Sequence, residues 1–412
     1  MRSLLLFMLG GALATTGTVA AVTISTIAAE AISGSARWSG LPVACNVLGT
    51  AGGALLLARL LERSTTPRAL GVQYLTSAAG AGLAVFSVVH RAPWLLAAGM
   101  SLLGLGNGAT QYSRYLAADP FAPALRARAL SAVVWVGSIG AVVGPALLLP
   151  TGRLALRLGL PHHAGPYLFT GAAFVSVAAL YALTLPRSPA VPAVPAVGPE
   201  APGRAGAVTT GAAGADLRTA SSWASWPGDA RIALLAMLVG HAVMVLVMTM
   251  TPLHLMHHGH GLSSVGLVIS AHVAGMYLCS PALGWLTSAV GPRRVLQLGA
   301  SLLTASCALA AWLALRGHGE PMALPLFGLG LGWNAGFVAG STLLARSLAA
   351  GVQVRGRAAA DAAVWICAAA TSLGASVLFD EIGYVWLNLF AGGLSLILLT
   401  WLLARTRVAA AG

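Results

Sequence analysis

The sequence contains no lysine, and only ten acidic residues among 412. Charged residues make up 8% of the chain and apolar ones 58%, whereas an average soluble chain is about a quarter charged. Too little polar surface is left to coat a water-soluble particle. Long polar stretches are also scarce: apolar residues fall in runs of about 20 or more, enough at about 1.5 Å per residue to cross a hydrocarbon core of roughly 30 Å. The expected fold is therefore an all-α membrane protein, with the lipid bilayer as its solvent.

Other absences narrow the function. The four cysteines, Cys45, Cys279, Cys307 and Cys367, lie inside apolar runs with no Cys-x-x-Cys pairing, which excludes a disulfide framework or a structural zinc site. No nucleophile and base motif and no soluble domain stands out, so neither an enzyme nor a signalling receptor is expected, and no cofactor is called for. The 23 basic residues, all arginine, give a net charge of +13, yet they sit at the ends of the apolar runs. They read as topology signals and not as a nucleic-acid patch. Met1 to about Ala28 resembles a secretory signal, but its apolar stretch is too long and many similar segments follow, so it reads as the first span.

Breaks at Gly, Pro and Arg clusters predict spans near 4–28, 38–61, 69–90, 93–115, 127–150 and 165–185, then 230–252, 262–288, 293–315, 321–346, 356–380 and 383–405. With both termini in the cytoplasm, eighteen arginines fall on cytoplasmic ends or loops and five (37, 91, 153, 157 and 316) outside. That bias supports twelve spans in this orientation. The organisation expected is a six-helix half over 1–185, a cytoplasmic linker over 186–228 and a second six-helix half over 229–412. The linker, with its Pro-Ala-Val repeat from Pro189 to Val197 and a Gly/Ala/Thr-rich tract, has no apolar face to bury. Trp223 and Trp226 are expected to anchor its end at the membrane interface.

The halves repeat. Leu103-Gly104-Leu105-Gly106-Asn107-Gly108 is echoed in the second half by Leu329-Gly330-Leu331-Gly332-Trp333-Asn334. At nearly the same offset, Arg126-Ala127-Arg128-Ala129 is echoed by Arg355-Gly356-Arg357-Ala358. Such repeats rock about a midplane site between them. The loop from Gly284 to Arg294, ending Gly291-Pro292-Arg293-Arg294, resembles the major facilitator signature G-x-L-x-D-R-x-G-R-R, with Ser288 and Ala289 in place of its acidic and basic pair. The loop after span 2 keeps that pair as Glu62-Arg63. Gly140-x-x-x-Gly144-Pro145 resembles the family's G-x-x-x-G-P motif, although close helix packing explains those small residues equally well. The chain is thus identified as a major facilitator transporter, which implies two six-helix halves working by alternating access. A monomer is the expected unit.

An ionisable residue inside the membrane is costly unless used or paired, and here all ten acids map to loops or helix ends. A proton-driven drug antiporter would need a buried carboxylate. The interior offers sulfur and imidazole instead. Met237, His241, Met244 and Met248 share one face of span 7, and His272, Met276 and Cys279 share one face of span 8. Equal rise along this hairpin pairs Met244 with His272, His241 with Met276 and Met237 with Cys279. Thioether, imidazole and thiol suit a soft monovalent ion such as Cu(I), and His254, Met256, His257, His258 and His260 on the outer loop would capture it. Packing of methionine and solvation of loop histidine are the bland alternatives.

Met244-x-x-x-Met248 followed by His272-x-x-x-Met276 resembles the Met-x-x-x-Met and His-x-x-x-Met pair of the CcoA-like copper importers, a bacterial major facilitator subgroup. The resemblance implies copper as transported substrate, a copper role for Met244, Met248, His272 and Met276, and a place in the bacterial cytoplasmic membrane. Cys45 and Cys367 are further candidate ligands, though packing explains each; Cys307, on span 9, reads as structural. Asn107, Gln111, Tyr112 and Asn334 on spans 4 and 10 suit an organic substrate, leaving two alternatives: an exporter of drugs or other small organic molecules, and an importer of an organic nutrient such as a flavin, for which Trp333 is the aromatic candidate.

The orientation is directly testable. A reporter fused near Gly214 is expected to report from the cytoplasm, and labelling of that position from outside intact cells would reverse the topology.

Overall fold

The computed structural model describes residues 2–185, 226–316, 320–348 and 353–411. The regular elements among the described residues are helices. The first half comprises α1 (Arg2–Ser33), α2 (Leu41–Arg63), α3 (Thr66–His90), α4 (Pro93–Ala118), α5 (Pro123–Ala146), α6 (Leu148–Arg157) and α7 (Gly165–Thr184). The second comprises α8 (Gly228–His257), α9 (Leu262–Tyr277), α10 (Ser280–Val290), α11 (Pro292–Leu315), α12 (Ala323–Ser347) and α13 (Gln353–Ala411). Proline in the first turn opens α2, α3, α4, α5, α7, α10 and α11, where its missing N–H leaves no bond unmade.

Ten segments among the described residues are long and apolar enough to cross a membrane. One of them, Ala359–Arg405, runs 47 residues and turns at Gly383, whose φ of 76° and ψ of 173° suit only glycine, so it supplies two crossings. With α4, which packs between α2 and α3, the crossings among the described residues number twelve. α6 prolongs α5, and α10 prolongs α9.

Several expectations are corrected. Span 7 does not stop near residue 252: α8 carries Pro252 inside it and continues to His257, as membrane helices tolerate proline where neighbours satisfy the freed backbone. Span 8 is broken at Leu278 and Cys279, just before Pro281. Trp226 is buried in an apolar cluster with Ala230 and Ala233, just before the start of α8. Asp361 lies within a helix and not at its end. Except for its final residues, the linker of 186–228, with Trp223, falls outside the described residues.

The repeat has a physical basis. A Cβ on Gly104 would overlap the Asn46 carbonyl oxygen of α2, and one on Gly330 would overlap the His272 carbonyl oxygen of α9. Reciprocally, a Cβ on Gly49 would overlap the Ser101 carbonyl oxygen, and one on Gly275 that of Phe327. Gly330 follows Gly104, and Gly275 follows Gly49, at the same offset as the sequence echo. Glycine is required at these crossings because backbone meets backbone.

The halves are pinned together at the end that the arginines assign to the outside. His257 Nε2 contacts both Glu30 carboxylate oxygens at 2.9 Å, Arg37 Nη1 donates to Glu381 Oε1 at 2.9 Å, Ser372 Oγ donates to the Gly40 carbonyl, and Ser270 Oγ to the Val142 carbonyl. The remaining ion pair among the described residues, Arg293 with Asp229, lies within the second half. Among the described residues, the ion pairs that join the two halves lie at this end, while at the opposite end Arg114 of α4 acts electrostatically on the Asp361 carboxyl of α13.

These outer pairs are half-exposed, and such pairs contribute about 0.2–1 kcal/mol each. Glu30→Gln with Glu381→Gln is expected to shift the equilibrium toward outward opening by roughly twofold to thirtyfold, seen as longer distances between spin labels on the outer ends of α1 and α8. An unchanged distance distribution would show that the pairs do not hold the halves.

Candidate functional site

The candidate residues of α8 separate by depth. Met244 and Met248 pack with Met276 of α9, beside Trp333 of α12, Ala368 of α13 and Val47 of α2. This cluster therefore sits where the two halves meet. Met244 groups with Met276, about one helical turn beyond the register that equal rise predicts, because α8 runs on to His257 and moves the hairpin turn.

His241 is held by aromatic rings. Its Nδ1 accepts a hydrogen bond from Trp333 Nε1 at 2.9 Å, and its ring meets those of Trp333 and Trp365 edge-on, with centroids 5.8 and 6.2 Å away. Trp333 also stacks on Phe337 at 5.1 Å and faces Tyr277 edge-on at 6.3 Å. An indole nitrogen can only donate. The proton of neutral His241 therefore resides on Nε2, which faces its surroundings as a donor.

His272 is fully buried. Its Nδ1 lies 2.9 Å from the Leu326 carbonyl oxygen, so it donates there, and Nε2 has no partner among the described residues. The bond has a counterpart in the first half: Asn46 Nδ2 donates to the Met100 carbonyl oxygen, and the repeat makes Asn46 equivalent to His272 and Met100 to Leu326. The Nδ1 bond thus ties helices together, while the second nitrogen is a lone pair the tie does not use.

The deeper candidates do not join this cluster. Met237 packs against Gly340 of α12, where a Cβ would strike its side chain. Cys279 caps α10, half-buried at the edge of the inner apolar cluster. Two of the four histidines called loop residues are helical: His254 is buried and stacks on Tyr384 at 4.1 Å, and His257 ends α8 in its pair with Glu30. His258 Nδ1 lies 2.9 Å from the His254 carbonyl oxygen, and His260 follows in the turn. The described residues hold no group of three or more His, Cys, Asp or Glu placed to bind a metal.

Of the polar candidates, Asn107 donates to Thr50 Oγ1 at 3.0 Å and Asn334 accepts from Ser280 Oγ at 3.2 Å. Tyr112 meets Tyr115 edge-on, and Gln111 is exposed. Cys45 is half-buried, and Cys367 Sγ lies 3.9 Å from the Leu238 carbonyl oxygen. Sequence reasoning missed Phe337 and Tyr277 as partners of Trp333, and Trp365 as a partner of His241. The four-residue step from Trp333 to Phe337 was a usable signal, whereas the contacts of Trp365 and Tyr277 come from other helices.

Twelve crossings among the described residues, in two repeat-related halves meeting at a soft and aromatic centre, fit a membrane transporter. No protein-family model matches the chain. It is 30% identical over 387 residues to the uncharacterized MFS-type transporter YdeG of Bacillus subtilis, covering 93% of this chain and 87% of that protein. It is 29% identical over 392 residues to YddS of the same organism, also an uncharacterized MFS-type transporter, covering 93% and 86%. The riboflavin transporter RfnT of Brucella anthropi is 24% identical over 389 residues, covering 94% and 91%. Among solved structures, an auto-inhibited POT family peptide transporter matches with a TM-score of 0.68 at 13% identity, covering 100% of this chain and 97% of that one. A bacterial homolog of the lysosomal transporter Spinster, inward-facing and unoccupied, matches with 0.68 at 15%, covering 98% and 95%. The chain belongs to the major facilitator superfamily, and it is a transporter, not an enzyme.

Cys307 is fully buried against Gly392 of α13, away from the central cluster. Cys307→Ser is therefore expected to leave transport per molecule of membrane-inserted protein nearly unchanged. A loss equal to that of His272→Ala would place the transport path on the other face of α11.

Proposed function

We propose that the protein imports copper, as Cu(I), across the bacterial cytoplasmic membrane, working as a monomer with both termini inside. The carrying observation is the meeting of three thioethers, Met244, Met248 and Met276, one turn from an imidazole, His272, whose Nε2 is buried and unpartnered. Thioether and neutral imidazole are donors that suit Cu(I), and carboxylates, which hard ions prefer, are missing there. When the outer pins release, Met248 with His254, His257, His258 and His260 would receive the ion. Met244, His272 and Met276 would bind it at depth. His241, Met237 and Cys279 would pass it inward, helped by about 2.3 kcal/mol per charge per 100 mV of inside-negative potential.

A second reading, import of a planar nutrient of the flavin class, is favoured by the rings of His241, Trp333, Trp365, Phe337 and Tyr277, and by similarity to a protein described as a riboflavin transporter. Stacking platforms suit flat ligands.

The repeat supplies a substitution that separates ligand from tie. His272→Asn retains the donor that Asn46 uses in the sister half but deletes the second nitrogen, and Met244→Leu conserves volume while deleting sulfur. Each is expected to lower copper accumulation, normalised to protein in the membrane, by roughly tenfold or more, with the double variant adding little. Near-normal accumulation in the double variant would defeat the copper reading. Riboflavin uptake that depends on Trp333, measured in the same cells, would then establish the second.

A further inference from the structure

We propose that Arg114 of the first half and Asp361 of the second form a latch that closes the mouth assigned to the cytoplasm, with Arg357 competing for the same carboxylate when the mouth is open. Arg114 lies one turn from the inner end of α4. Asn107, Gln111 and Arg114 recur at steps of four and three, which places them on one face of that helix. The repeat makes Asn107 and Gln111 equivalent to Trp333 and Phe337, so this face looks toward the centre of the molecule. Asp361 lies about two turns into α13, where Arg357, Asp361 and Trp365 follow one another at steps of four. The Trp365 ring meets that of His241, so this face also adjoins the central cluster. A pair formed between the two faces would seal the cluster from the cytoplasm.

The three charges are not settled in this arrangement. Among the described residues, none of them takes part in an ion pair. The Arg114 guanidinium lies over the Tyr115 ring at 4.9 Å and donates to its hydroxyl at 3.2 Å. Nε of Arg114 and Nε of Arg357 are both buried without an acceptor, a cost that stands until an acceptor arrives. Of the two guanidinium groups, Arg114 acts more strongly on Asp361 than Arg357 does. Helix electrostatics agree with that order, because a pair at i and i+4 is weaker when the basic residue precedes the acidic one. α4 packs chiefly on α1, α2, α3 and α5, and α13 on α2, α8 and α11. Close packing of their own helices is therefore not what brings Arg114 and Asp361 within electrostatic reach.

Topology accounts for arginines in cytoplasmic loops but not for this pair. Acidic residues contribute little to orientation, and a charge inside a membrane helix is costly unless used or paired. Packing does not call for the arginine either: the equivalent position in the second half is Gly340, where Met237 fills the space. At the outer end the halves are already joined by His257 with Glu30 and by Arg37 with Glu381. A latch at each mouth lets closure of one end replace the ion pairs released at the other.

The full chain in nanodiscs tests this with no cargo present, so the result stands apart from the copper reading. Distances between spin labels on the inner ends of α4 and α13 report the ratio of closed to open mouths. Arg114→Gln and Asp361→Asn are each expected to lower that ratio by roughly twofold to fivefold, and the double variant to add little. Arg114→Lys should keep most of the closure. Arg357→Gln removes the competitor and should raise the ratio, an opposite sign that misfolding or a general loss of charge would not produce. Glu62→Gln, at the inner end of α2, should leave it unchanged. An unchanged ratio in Arg114→Gln or Asp361→Asn, a ratio that Arg357→Gln fails to raise, or an equal fall on Glu62→Gln overturns the proposal.

Discussion

The structure depends on glycines that let one helix backbone lie directly on another, above all at two repeat-related crossings. In lipid there is no hydrophobic force pressing helices together, so close packing, hydrogen bonds across helices and small residues must do it. Gly49 and Gly104 bring α2 onto α4, and Gly275 and Gly330 bring α9 onto α12. Because each carbonyl contacted belongs to the partner helix of the same pair, a side chain at any of the four would part both helices along their length. Val47, Met276 and Trp333 of the central cluster lie on helices joined at these crossings.

Since the crossings recur at one constant offset, corresponding positions in the two halves occupy corresponding places, and their chemistry can be compared directly. Asn46, Thr50 and Asn107 in the first half stand opposite in kind to His272, Met276 and Trp333 in the second. In the first half these positions bond to one another and to backbone: Asn107 to Thr50, Asn46 to Met100. In the second half only the tie survives, from His272 to Leu326, and the other two positions carry a thioether and an indole. One half has kept a closed hydrogen-bond network, and its sister has exchanged that network for groups able to hold something else.

This exchange also explains what the sequence could and could not disclose. The glycine echo, the arginine bias and the apolar runs are one-dimensional signals, so the two repeated halves were legible from Gly104 and Gly330 onward. The faces of α8 followed from helical period. Register did not, because Pro252 reads as a helix end in water and is carried through in α8, displacing Met244 by a turn relative to α9. Cys279 lost its place on the α9 face for a related reason: the helix breaks before Pro281. The aromatic partners of His241 were beyond reach, since Trp365 and Trp333 come from different helices and no spacing links them.

Trp333 is where the two substrate readings meet. Its N–H occupies the Nδ1 lone pair of His241, so in this arrangement that nitrogen cannot ligate a soft cation, and Nε2 carries the proton. If copper passes by way of His241, either the indole bond or the Nε2 proton must be given up first, which makes the turn of α12 bearing Trp333 part of the path and not merely its wall. If the cargo is a flat organic molecule, the same bond holds Nε2–H as a donor facing a carbonyl or ring nitrogen while the rings stack on its plane. Under either cargo the indole sets the protonation form of His241, because an N–H that can only donate leaves the imidazole one neutral tautomer. The position that is Asn107 in the sister half has thereby acquired control over the chemistry of a neighbouring side chain, a control that the Asn107 amide, bonded to Thr50, does not exert.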